Sequence, residues 1–278
     1  MLIEFIKLII CSLVIVLISK YILAKNLRIL ADVMNLKPKT VGNISGMATS
    51  IPELLTTTIS ALKGLHETSV INILSSNVIN TILYIMSIFF NNNQRKLKDK
   101  LIILELVLVF FTIFIPVIFS VLKISLSIYY VPVFIILYIV FKMIDNLAHK
   151  YFNLIFFEKS NMEMNLKRQK KIEVRKVVKS IVFILLAGVL LFVIGNIFSG
   201  SLETLCNKFN VSQIVIGIFL GFVTSMPEFI TFFEAQKKQK TSIEGVTEAT
   251  NNLLSSNMVN LFVVQSVGLL TLFIVTSG

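Results

Sequence analysis

Apolar residues run in long stretches near 3–23, 40–62, 68–90, 101–122, 125–143, 177–199, 210–234 and 246–272. A helix needs roughly 20 residues to cross a hydrocarbon layer of about 30 Å, and each run approaches or exceeds that length. Only helices and closed barrels satisfy their backbone inside lipid. The pattern therefore predicts an all-α polytopic membrane protein with about eight transmembrane helices. The second, seventh and eighth runs are the weaker ones, because polar residues interrupt them. The first run holds Glu4 before Lys7 and lacks a small-residue cleavage site, so it reads as a retained helix and not as a signal peptide. The polar stretch 144–176, rich in Lys, Arg and Asn, reads as a basic loop. It divides a first membrane half, 1–143 (helices 1–5), from a shorter second half, 177–278 (helices 6–8).

The polar interruptions recur. Thr49-Ser50-Ile51-Pro52-Glu53 returns as Thr224-Ser225-Met226-Pro227-Glu228, and Ser75-Ser76-Asn77-Val78-Ile79-Asn80 returns as Ser255-Ser256-Asn257-Met258-Val259-Asn260. A carboxylate near the middle of a membrane helix costs at least about 2.5–3.5 kcal/mol and marks function. Proline leaves the carbonyl four residues earlier, Ala48 or Val223, without its helical donor. Gly42 and Gly46, like Gly217 and Gly221, precede the break and ease local unwinding. Asn72, Ser76 and Asn80 fall at i, i+4 and i+8 and form one polar stripe, which Asn252, Ser256 and Asn260 repeat. Hard cations take oxygen ligands from carboxylates, carbonyls and waters. Two glutamates supply a charge of −2, the balance for one divalent cation.

Composition agrees with the pattern: 55 % of the 278 residues are hydrophobic and 15 % charged, with a mean hydropathy of +0.86. The net charge of +11 does not point to nucleic acid, because the basic residues lie between apolar runs. They concentrate after helices 1, 3, 5 and 7, while Lys7, Lys63, Lys123 and Lys208 fall on the other side. The positive-inside rule then places these basic loops in the cytoplasm, beside anionic lipid, and both termini outside. Helices 2 and 7 cross in opposite directions, so the motif pair forms an inverted repeat of the transporter kind. Cys11 lies in an apolar run, Cys206 reads as a short-loop residue, and no CxxC metal spacing occurs. His66 and His149 read as separate loop residues, and Glu105, Glu234, Glu244 and Glu248 as solvated carboxylates near the cytoplasmic ends of helices.

The paired TSxPE and SSNxxN elements, duplicated in inverted halves, resemble the calcium/cation antiporter superfamily, the sodium/calcium exchangers. The motifs cover about 40–80 and 212–260. The resemblance implies a shortened sodium/calcium exchanger fold, since members typically have ten helices. It implies that Glu53 and Glu228 are the calcium-binding carboxylates, completed by main-chain oxygens of Thr49 and Thr224. Ser50, Ser225, Ser76 and Ser256 would form flanking sodium sites, and Asn80 and Asn260 would line the centre. Three features depart from the family: Ala48 and Val223 stand where glycine is usual, Asn260 stands where many members have aspartate, and the chain is about two helices short.

The resulting expectation is a plasma-membrane antiporter that exchanges Ca2+, or a related divalent cation, for Na+ by alternating access, with helices 1 and 6 moving past the core. The same fold coupled to H+ is the first alternative, and a non-transporting membrane binding or assembly protein the second. No GxxxxGK[ST], HExxH or GxSxG motif is present. No enzyme activity and no cofactor are expected; the partners are inorganic cations and lipid. Oligomeric state is left open.

Overall fold

Pro52 and Pro227 have no N–H to offer, and both helices that carry them break two residues earlier. Ser50 (φ −80°, ψ 0°) separates α3 (Pro38–Thr49) from α4 (Ile51–Leu62). Ser225 (φ −78°, ψ −6°) separates α9 (Gln213–Thr224) from α10 (Met226–Lys238). Each break takes one residue, and each glutamate then falls in the first turn of the resumed helix, where the helix N-terminus favours negative charge.

The structure, a computed structural model, describes residues 2–34, 36–122, 126–160, 174–209, 212–238 and 243–277. Every regular element among them is helical. α1 (Leu2–Ile18) continues through a π-helical stretch, Ser19–Ala24, into α2 (Lys25–Met34). α5 (His66–Phe90), α6 (Lys100–Val121), α7 (Val131–Ser160) and α8 (Val174–Phe209) are long and continuous. α11 (Glu244–Met258) passes through a second π-helical stretch, Val259–Val264, into α12 (Gln265–Ser277).

Among the described residues, six helical spans are long and apolar enough to cross a membrane: His66–Phe90, Lys100–Phe119, Ile128–Tyr151, Val174–Leu205, Gln213–Lys237 and Glu244–Thr276. The first two of the eight predicted runs are helical too, but only Ile6–Ile15 is a continuous apolar helix in the first, and Ser50 divides the second. Side chains such as Phe110 (57 % exposed), Ile136 (60 %) and Leu185 (65 %) point away from the protein, as lipid contact requires.

Several local expectations change. Residues 144–160 continue α7, and α8 already begins at Val174; of the predicted basic loop, 161–173 lie outside the described residues. Apolar positions such as Ile144 and Leu147 carry the helical period past the membrane run. His149 is therefore a buried helix residue and His66 opens α5. Cys206 belongs to α8 and not to a loop. Glu234 and Glu244 are exposed as expected, but Glu105 (1 %) and Glu248 (5 %) are buried.

The glycines before each break serve close packing, not unwinding. A Cβ at Gly42 would lie 2.4 Å from the Glu248 carbonyl oxygen, and one at Gly46 2.5 Å from that of Asn252. A Cβ at Gly217 would lie 2.8 Å from Ile71 Cβ, and one at Gly221 2.2 Å from Ser75 Oγ. Small residues let membrane helices approach backbone to backbone. The same contacts fix direction. Rising numbers on α3 meet rising numbers on α11, so these two run parallel; α9 and α5 do likewise. α5 returns antiparallel to α3–α4 through the short connection 63–65, so α9–α10 opposes α3–α4. The inverted repeat is thus built into the helix contacts.

Two apolar cores flank this centre. One joins α1 and α2 to α8 and α9 through Leu8, Ile15, Leu191, Phe198 and Leu220. The other joins α5, α6, α7, α10 and α11 around Tyr84, Phe134, Phe232 and Phe262.

Candidate cation site

The two breaks and the two polar stripes meet in the middle of the protein. Glu53, Glu228, Thr49, Thr224, Ser76, Ser225, Ser256, Asn80 and Asn260 are all 0 % exposed, and Ser50 is 1 % exposed. The pairing is crosswise between halves. Glu53 lies against the Thr224 side chain and Glu228 against the Thr49 side chain, and the carboxylates are close enough for their charges to interact. At the centre, Asn77 Nδ2 donates to the Asn257 carbonyl at 3.2 Å, and Asn257 Nδ2 returns a bond of 3.2 Å to the Asn77 carbonyl.

Donors are scarce here, and most are turned away. Thr49 Oγ1 donates to the Ser45 carbonyl (2.9 Å) and Thr224 Oγ1 to the Leu220 carbonyl (3.0 Å). Ser50 and Ser76 donate back to Gly46 and Asn72 carbonyls. Asn72 Nδ2 donates to Thr56 Oγ1 at 2.9 Å, and Asn252 Nδ2 to Thr231 Oγ1 at 2.6 Å. What is left over is acceptors. Among the described residues, neither oxygen of Glu53 accepts a hydrogen bond, nor do Glu228 Oε2, Asn72 Oδ1, Asn252 Oδ1 or Asn80 Oδ1. An unpaired buried acceptor costs about 1–3 kcal/mol, more when charged. So many together, with two carboxylates, is an arrangement that a cation relieves.

The halves are alike in layout and unlike in detail. Ser256 Oγ donates to Glu228 Oε1 at 2.9 Å, receives Asn80 Nδ2 at 3.3 Å, and lies 3.1 Å from Ser50 Oγ. Ser76, its counterpart, bonds among the described residues only within its own helix. Asn260 sits in the π-helical stretch with neither amide atom paired, and Ser225 Oγ is also unpaired. π-helical turns gather at functional positions. Asn72 and Asn252 were legible as the first members of the stripes, but their role as acceptors was not. Only the threonine hydroxyls that hold their Nδ2 groups reveal it.

Comparison with known proteins decides the family. A sequence model described as sodium/calcium exchanger protein matches residues 5–144 and 179–277. The chain belongs to the sodium/calcium exchanger family. Among solved structures it is similar to the sodium-calcium exchanger NCX_Mj soaked with 100 mM Na+ and 10 mM Sr2+, at 20 % identity and a TM-score of 0.60, covering 98 % of this chain and 83 % of that one. It is also similar to the same exchanger soaked with 10 mM Na+ and zero Ca2+, at 19 % identity and a TM-score of 0.58, covering 98 % and 84 %. Among curated proteins, none matches by sequence. The exchanger fold, a multi-pass membrane location and cation exchange follow from this membership.

This exchanger also holds a charged cluster that sequence reasoning missed. Glu105 on α6 meets His149 on α7, with Oε1 to Nε2 at 2.5 Å. Asp145, one turn before His149, pairs with Lys39 at 2.8 Å. The available signals were the acid inside the apolar run 101–122 and the i, i+4 spacing of Asp145 and His149.

Proposed function

We propose that this exchanger moves Ca2+, or a related divalent cation, against Na+ by alternating access at the Glu53–Glu228 site. One observation carries the reading: two fully buried glutamates face each other's broken helix, and three of their four oxygens accept no hydrogen bond. A single divalent ion would balance the pair. Thr49 and Thr224 complete the shell, Asn72 and Asn252 add side-chain oxygens, and Ser50, Ser76, Ser225 and Ser256 serve Na+ on either side. Asn80 and Asn260 line the centre.

Because the site has no exposed atoms at either glutamate, release to either side needs helix movement. α1, α2 and α8 share an apolar core with one another and with α9, and they are suited to slide as a unit past the site-bearing helices. The family's NCX_Mj relative is named a sodium-calcium exchanger, which favours Na+ as the coupling ion. We also infer eight crossings with the basic loops in the cytoplasm.

The test is radioactive calcium uptake into proteoliposomes carrying imposed Na+, K+ or H+ gradients. Uptake driven by Na+ alone is the expected result. Uptake that follows only a pH gradient would replace Na+ by H+. Calcium binding with no uptake under any gradient would leave a binding protein that retains the fold.

A further inference from the structure

We propose that Glu105, Asp145, His149 and Asn251 form a second cation site, separate from the transport site and suited to a transition metal such as Zn2+, Mn2+ or Co2+. One ligand atom from each of Glu105, Asp145 and His149 lies within 4.8 Å of the others. Three elements supply the set: α6, α7 and α11. All four residues are buried, at 1 %, 1 %, 8 % and 0 % exposure.

The cluster has acceptors to spare, as a cation site requires. Glu105 Oε1 already accepts from His149 and, at 2.9 Å, from Asn251 Nδ2. Glu105 Oε2, Asp145 Oδ1 and Asn251 Oδ1 accept no hydrogen bond from any described residue. Asp145 Oδ1 also lies 3.5 Å from His149 Nε2, a usual separation for two ligands of one metal about 2.1 Å from each. Lys39 does not fill the place. Its ammonium holds Asp145 Oδ2 at 2.8 Å and the Asp145 carbonyl at 3.2 Å, which orients the carboxylate and leaves Oδ1 free. The nearby Lys142 donates to Asn43 Oδ1 at 3.1 Å. A metal would take the place of the hydrogen bond between His149 Nε2 and Glu105 Oε1, with both atoms turning to the ion as ligands.

Ligand chemistry separates this site from the central one. The central set is all oxygen and suits a hard ion such as Ca2+. An imidazole beside carboxylates suits Zn2+, Mn2+ or Co2+. Asn251 precedes Asn252 on α11, so an occupied site would tie α6 and α7 to the helix that lines the transport site.

The chain has two histidines, which makes the test direct. His66 opens α5 at the far end of the broken helix α3–α4 from Lys39, and so lies at the end of the protein opposite His149. Co2+ is titrated into the purified full chain carrying Glu53→Gln and Glu228→Gln, which removes the central carboxylates. Imidazole signals are followed by NMR. One equivalent of Co2+ should bind and broaden the His149 signal while sparing His66. His149→Gln and Glu105→Gln should each weaken binding roughly tenfold or more. The site is overturned if Co2+ does not bind saturably, if both imidazoles broaden alike, or if neither substitution changes the affinity. Since the central glutamates are absent throughout, either outcome is independent of the transport reading.

Discussion

At the scale of single residues, Glu53 and Glu228 are equivalent in position but not in company. Among the described residues, Ser256 donates to Glu228, whereas Glu53 receives no hydrogen bond. Either Glu53→Gln or Glu228→Gln should abolish calcium uptake while leaving the protein folded. Removing the carboxylate partner of a buried cation costs about 3–5 kcal/mol, roughly a hundredfold or more in Kd. Near-normal uptake by either variant would sink the assignment. A third acid should change the competition between ions. Asn252 Oδ1 is unpaired while its Nδ2 is held by Thr231, whose hydroxyl donates to the Glu228 carbonyl, so Asn252→Asp would add a buried carboxylate beside the Glu228 helix. Sodium should then inhibit calcium binding more strongly, as an extra negative charge favours an extra monovalent ion. Asn260→Asp should act in the same direction. Unchanged sodium dependence in calorimetric calcium binding to both variants would remove these asparagines from the site.

At the scale of elements, the breaks were legible and their packing was not. Proline spacing located the breaks before Glu53 and Glu228, because a missing N–H acts locally and needs no partner to be read. Gly42, Gly46, Gly217 and Gly221 were misread as unwinding residues, since their reason lies on another helix distant in sequence. Glu105 and His149 escaped for the same cause: each is unremarkable alone, and only helix contact pairs them. The packing role makes a sharp prediction. Gly46→Ala and Gly221→Ala should each cost about 1–3 kcal/mol through overpacking, because their new methyl groups would meet backbone as well as side chains. Gly188→Ala is the control, with nothing within 4 Å of its Cβ position. Thermal unfolding in detergent should separate the first two from the third. If all three melt alike, the close α3–α11 and α5–α9 contacts are not what hold the centre together.

At the scale of the whole molecule, helix contacts establish that the two halves are inverted, and charge decides which way the pair sits in the bilayer. The contacts alone are silent on that point, because turning the protein over preserves every one of them. Lys and Arg break the tie: Arg95, Lys96, Lys98 and Lys100 follow α5, while the α4–α5 connection carries Lys63, paired with Glu203. Basic residues resist translocation, so the α5–α6 connection should be cytoplasmic and the α4–α5 end external. Single cysteines placed at Glu67 and Arg95, in a background with Cys11 and Cys206 replaced by serine, test this. Glu67 begins α5 and Arg95 follows it, so one helix separates the two probes. Glu67→Cys should react with a membrane-impermeant maleimide in intact cells, and Arg95→Cys only after the membrane is opened. A cysteine at Lys167, outside the described residues, should behave as Arg95→Cys does. The reversed pattern would turn the exchanger over and put the Glu105–His149 cluster on the outer face. Labelling of both Glu67→Cys and Arg95→Cys from outside would mean that α5 does not span the membrane, and the inverted arrangement would fall with it.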